Sequence, residues 1–153
     1  VIAAETVMLF KLTAGIRTHI KVRVAEWALG TILFNFGWIL LLPAQTFDGP
    51  SYAGMARVAP EGVWGLACLI VGAARLVALF INGTRRRTPH VRAIMAFLSC
   101  FFWLQISLCF LQAGTVPTGL AVYPVLLALD IFNLFRASSD ARLSDEVARN
   151  GRA

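Results

Sequence analysis

Four runs of apolar residues, each near the length needed to cross a lipid bilayer, constrain this chain more than any other feature. They extend from about Val24 to Leu42, Val63 to Ile81, Val91 to Leu111 and Leu120 to Phe135. A hydrocarbon core about 30 Å thick takes roughly 20 residues of helix, and the fourth run is the shortest of the set. A water-soluble domain would need more surface charge than the 14% present here, which is about half the usual share. The expected fold is therefore all-α and polytopic, a single membrane domain over residues 1–153 with four transmembrane helices. A polar cytoplasmic tail is expected from 136 to 153.

The connectors carry strong punctuation. "PAQTFDGPSY" closes the first run, "NGTRRRTPH" separates the second from the third, and "QAGTVPTG" the third from the fourth. Thr88-Pro89 suits the N-cap and first position of the third helix. "SYAGMARVAPEG" reads as a short interfacial helix on the outer face. The first twenty residues read either as an amphipathic segment with Lys11, Arg17 and Lys21 toward lipid phosphates, or as a partly ordered tail. The chain begins with Val, which suggests a trimmed N-terminus, and "VIAAETVMLFKLTAG" lacks the order of regions that marks a signal peptide.

Orientation follows from the cations. Lys11, Arg17, Lys21 and Arg23 precede the first run, and Arg136, Arg142, Arg149 and Arg152 follow the fourth. Arg85, Arg86, Arg87 and Arg92 cluster between the second and third, where they are expected to contact anionic headgroups. The first connector has only Arg57, and the third has no charge. Both termini should face the cytoplasm, because cations are retained on that side. Trp38, Tyr52, Trp64 and Tyr123 fall at the outer boundary, where amphipathic rings suit the headgroup layer, and Trp27 at the inner one.

Polar residues inside the runs are the candidate site. Glu61, Gly65, Cys68, Gly72, Arg75, Leu79 and Asn82 recur at helical spacing on one face of the second run. Small residues there let helices approach closely, so Gly65, Cys68 and Gly72 form a packing stripe, and Arg75 must face protein rather than lipid. The second and fourth runs go the same way through the membrane. Arg75 lies about 10 Å before its cytoplasmic end and Asp130 about 8 Å before its own, so their depths match. Glu26 is expected to join them, with Asn133 on the face of Asp130. The set reads first as a register-fixing clamp and second as a proton or ion relay, since a relay more often shows an unpaired carboxylate or a histidine. Ser99, Gln105, Cys109 and Gln112 share a broad face of the third run. Thr31 and Asn35 lie opposite Glu26 on the first, which leaves either ordinary interhelical hydrogen bonding or contact with a neighbouring subunit.

Other chemistry is not suggested. Cys68, Cys100 and Cys109 sit in apolar runs, away from His19 and His90, so no disulfide, metal or cofactor is expected. The net charge of +6 resides at the edges of the runs. No aromatic residues interleave with the arginines of "TRRRTPHVR", so lipid explains them better than nucleic acid.

The segments "GPSYAGMARVAPEGVWG", "RLVALFING" and "AVYPVLLALDIFNLFRASSDAR" resemble small membrane proteins encoded by tailed bacteriophages and prophages of proteobacteria, over about residues 24 to 143. The resemblance implies a role in infection or host-membrane remodelling and assigns no residue a task. The leading expectation is a non-enzymatic structural or interaction protein of the bacterial inner membrane, working as a homo-oligomer or a subunit of a larger complex. A holin-like, lesion-forming protein and a small channel or transporter lined by Arg75, Asp130 and Gln105 are the alternatives.

Overall fold

The computed structural model describes residues 23–84 and 89–151, and every regular element among them is helical. Helix α1 covers Val24–Leu40, a short α2 Ala53–Val58, α3 Glu61–Thr84, α4 Pro89–Leu111 and α5 Tyr123–Asn150. Tight 3-10 turns at Thr46–Asp48, Pro50–Tyr52 and Thr118–Ala121 fill the connectors. Three stretches are long and apolar enough to cross a membrane: Glu61–Asn82, Pro89–Leu111 and Thr118–Asn150. Helix α1 is apolar but only 17 residues long. The expected N-terminal amphipathic segment and the loop residues Arg85, Arg86 and Arg87 lie outside the described residues.

Prolines and one glycine set most of the boundaries. Pro43 disfavours helical geometry at Leu42. The amides of Leu41 and Leu42 instead close tight turns onto Trp38 and Ile39, and α1 stops before its apolar run does. The Pro60 carbonyl accepts from the amides of Val63 and Trp64 to start α3. Pro89 opens α4, where its missing N–H costs nothing. Beyond α4 the chain turns at Gly114, whose φ of 73° is open to glycine without strain. Helix α5 contains no breaker after its first turn, so it continues unbroken to Asn150. The polar tail from 136, read from the sequence as a short helical extension, is the last part of this same helix.

The four long helices form an up-and-down ring. Helix α1 packs chiefly on α3 and α4 chiefly on α5, while α3 meets α4 and α1 meets α5. Pairs α1/α4 and α3/α5 lie across the diagonals. Glycines bring α1 and α3 into close contact. A Cβ on Gly72 would stand 2.5 Å from the Phe34 backbone nitrogen, and one on Gly65 2.9 Å from Leu41 Cγ. Gly37 meets the Leu69 backbone with no room for a Cβ at all.

At the α2 end the interior is aromatic. Trp103, fully buried, stacks on Tyr123 with ring centroids 6.0 Å apart, and Phe36 and Phe110 meet Tyr123 edge-on. Helix α2 is tucked against the end of α4, its Gly54 directly over the Cys109 carbonyl and its Met55 wholly buried. The Trp64 indole donates to the Met55 carbonyl at 3.1 Å. Trp64, expected at headgroup level, therefore belongs to the core, and the half-buried Tyr123 packs against it, whereas Trp38 is exposed. The outer surface carries the large apolar residues: Leu66, Ile70, Val77, Phe80, Phe97 and Phe132 are each more than half exposed. Such a continuous apolar girdle suits hydrocarbon, not water.

Candidate functional site: two buried ion clusters

The small and polar stripe of α3 is its buried face. Gly65, Cys68, Gly72, Arg75, Leu79 and Asn82 are all buried, with Glu61 half-buried at the start. Glu61 serves the α2 end, where its carboxylate accepts from the backbone amides of Thr46 at 3.0 Å and Phe47 at 3.1 Å and ties the first connector to α3.

Deeper in the bundle, Arg75 reaches Asp130. Arg75 Nη1 donates to Asp130 Oδ2 at 2.8 Å and Nη2 to Oδ1 at 2.6 Å, a two-pronged pair with both side chains almost fully buried. Ser99 from α4 donates its hydroxyl to the same Oδ2 at 2.5 Å. Three donors thus converge on one carboxylate, and helices α3, α4 and α5 are joined at a single point. Charge-assisted, two-pronged pairs of this kind fix direction as well as distance.

Glu26 does not join this group. It pairs with Arg92, which the sequence had placed among lipid headgroups. Arg92 Nε donates to Glu26 Oε2 at 3.0 Å and Nη2 to Oε1 at 2.6 Å, while Nη1 donates to Asp140 Oδ2 at 2.8 Å. Arg92 is 3% exposed, too deep for a headgroup contact. Depth explains the exchange of partners. Gly30 is the α1 residue level with Arg75, its would-be Cβ lying 3.5 Å from Arg75 Cδ. Glu26 lies one turn, about 6 Å, further along, level instead with the first turn of α4.

Arg23 completes the second cluster, 4.0 Å from both Glu26 and Asp140. Burial lowers the Arg23 guanidinium below its ordinary value, as does the Arg92 charge beside it, while Glu26 and Asp140 raise it. An arginine stays charged through such a shift, so each cluster is neutral: Arg75 with Asp130, and Arg23 and Arg92 with Glu26 and Asp140. At the exposed edge His90 approaches Asp145 at 3.1 Å.

Asn133 lies between the clusters, one turn from Asp130 and 2% exposed, but its Nδ2 has no hydrogen-bond partner. The buried indole nitrogens of Trp27 and Trp103 are also unpartnered. Sequence reasoning missed Asp140, which it left in the tail. The signal was present: Asp130, Asn133, Ala137, Asp140 and Ala141 continue one small or polar face at helical spacing past the apolar run.

No protein family, curated protein or solved structure matches the chain. Fold and site together define a class, a helical membrane bundle clamped from within by two neutral ion clusters.

Proposed function

We propose that this chain is a four-span protein of the bacterial inner membrane, with both termini cytoplasmic, acting without catalysis as a structural or interaction component. It packs with itself or with a larger membrane complex, and the sequence resemblance favours a phage or prophage source. One observation carries the reading: among the described residues, the buried Arg75 and Arg92 are matched by the buried carboxylates of Asp130 and Glu26. A relay or pore needs a group free to exchange protons or ions, and the stacked Trp103 and Tyr123 close the α2 end. Such matching suits a settled scaffold.

Four spans are supported by the up-and-down ring, which gives α1 the same surroundings as its longer neighbours. Its 17 residues reach about 26 Å, and the exposed Leu41 and Leu42 extend the apolar surface. The cytoplasmic assignment of the far end is supported by Arg136, Arg142 and Arg149 on the exposed last turns of α5, together with Arg85, Arg86 and Arg87. These cations would contact anionic headgroups. Arg92 is set aside from that count because its charge is spent on Glu26 and Asp140.

Topology is tested with single cysteines at positions 48 and 145 and a membrane-impermeant maleimide on intact cells. Labelling at 48 and protection at 145 is expected, and the reverse overturns the orientation. Function is tested by purification in mild detergent with mass measurement, and by controlled expression with a membrane-potential dye. A mass above that of the protomer with unaffected potential is expected. A sudden collapse of potential would favour the lesion-forming alternative and sink the scaffold reading.

A further inference from the structure

The polar side chains that lie exposed, rather than half-buried, within the apolar spans are confined among the described residues to one helix. Among the described residues, every exposed residue of α3 between 63 and 81, of α4 between 91 and 111 and of α5 between 123 and 135 is apolar. Helix α1 breaks the pattern with Thr31 and Asn35, both exposed and one turn apart. Their opposite face is already committed, since Glu26, Leu29, Gly30, Leu33, Gly37 and Leu40 are buried against the bundle. The Asn35 carboxamide makes no hydrogen bond with any described residue.

Depth makes this exposure costly. Gly72 touches the backbone of Phe34, and Gly72 lies at the middle of the stretch Glu61–Asn82. Asn35 is therefore at the centre of the apolar layer, about 15 Å from either headgroup region. Neither water nor a lipid headgroup reaches a side chain there, and polar groups at this depth find protein partners.

We propose that the Ala28–Thr31–Asn35 face of α1 docks a second copy of this chain, with the two Asn35 carboxamides hydrogen-bonding each other across a two-fold axis along the membrane normal. The proposal rests on the scaffold reading above and names its contact surface. Complementarity selects the occupant. A carboxamide offers a donor and an acceptor together, so two of them satisfy each other, and only an identical chain supplies the second at the same depth by symmetry. Ala28 and Thr31 are small enough for the two α1 backbones to approach, as closely packed membrane helices require.

The test compares the full chain with Asn35→Leu, a substitution on an exposed position that leaves the core intact. Mass in mild detergent should show a dimer for the unaltered protein and at least about tenfold weaker association for Asn35→Leu, at unchanged thermal stability. In native membranes under mild oxidation, Thr31→Cys should give a cross-linked dimer, whereas Phe97→Cys on the lipid face of α4 should not. If Asn35→Leu dimerises as tightly as the unaltered chain, the surface is wrong and the scaffold reading survives. If the unaltered chain is a monomer with nothing co-eluting, both fail. A different co-eluting protein lost on Asn35→Leu, or dimers that form only after residues 1–22 are removed, would overturn the second copy as occupant.

Discussion

Arg75 on α3 meets Asp130 on α5 across one diagonal of the helix ring, and the paired oxygens lie 2.8 and 2.6 Å from its guanidinium nitrogens. Arg92 on α4 meets Glu26 on α1 across the other diagonal. Adjacent helices are joined largely by glycine contacts and apolar packing, which in lipid select one neighbour only weakly, although α4 and α5 also share the Ser99–Asp130 and Arg92–Asp140 contacts. The diagonals carry the two-pronged ion pairs. A helix placed one turn out of register, or in the wrong order around the ring, would leave a charge buried without its partner.

The first diagonal can be measured by a mutant cycle. Arg75→Ala leaves the Asp130 carboxylate buried with Ser99 as its remaining donor, and loss of one partner of such a pair costs about 3–5 kcal/mol. Adding Asp130→Ala removes the stranded charge and should restore a substantial part of that loss. Unfolding in graded denaturing detergent gives the comparison. Equal stability of the double variant and the sum of the singles would show that the two residues are not coupled.

The second cluster should respond unevenly. Arg92 is shared between Glu26, whose side chain is 6% exposed, and Asp140, which is 41% exposed. Water at the rim can replace Asp140, so Asp140→Asn is expected to cost about 1 kcal/mol or less. Glu26→Gln removes the buried charge that balances Arg92 and should cost several times more. The same detergent titration ranks them, and a larger loss from Asp140→Asn would show that the rim is drier than its exposure indicates.

The helices and the inward face of α3 were legible because membrane helices announce themselves through length, and a buried face through its small and polar residues. Arg75 and Asp130 could be matched because both sit in runs with clear ends, from which depth can be counted. Glu26 and Arg92 were harder. Each lies at a run boundary, where an error of one turn moves a side chain from headgroups to interior, and an arginine beside three others looks like part of a topology signal. Trp64 misled for a related reason. A ring near the membrane edge can face outward or inward, and only α2, folding back over the end of α4, decides which.

The glycine contacts yield a sign prediction. Gly37→Ala and Gly72→Ala put a methyl group against the backbones of Leu69 and Phe34, which cannot step aside cheaply, and each should destabilise by about 1–3 kcal/mol. Gly62 has nothing within 4 Å of its would-be Cβ and lies in the first turn of the same α3. Gly62→Ala should be neutral or stabilise by up to about 1 kcal/mol through helix propensity alone. Thermal unfolding in mild detergent separates the cases. A cost at Gly62 equal to that at Gly72 would mean that propensity and insertion, not close approach, govern these positions.

Asn133 gives the reverse expectation from a polar residue. Its amide nitrogen is buried one turn from Asp130 with no acceptor within reach, and an unsatisfied buried polar group costs about 1–3 kcal/mol. Leucine has nearly the same shape and no hydrogen bond to lose. Asn133→Leu should therefore raise stability by about 1 kcal/mol while leaving the Arg75–Asp130 coupling unchanged in the mutant cycle. If the variant is instead destabilised, and the coupling falls with it, then Asn133 is hydrogen-bonded in the membrane, to an internal water or to another chain. The interval between the two ion clusters would then be polar throughout, and the matched charges would have to be read as the ends of one connected network.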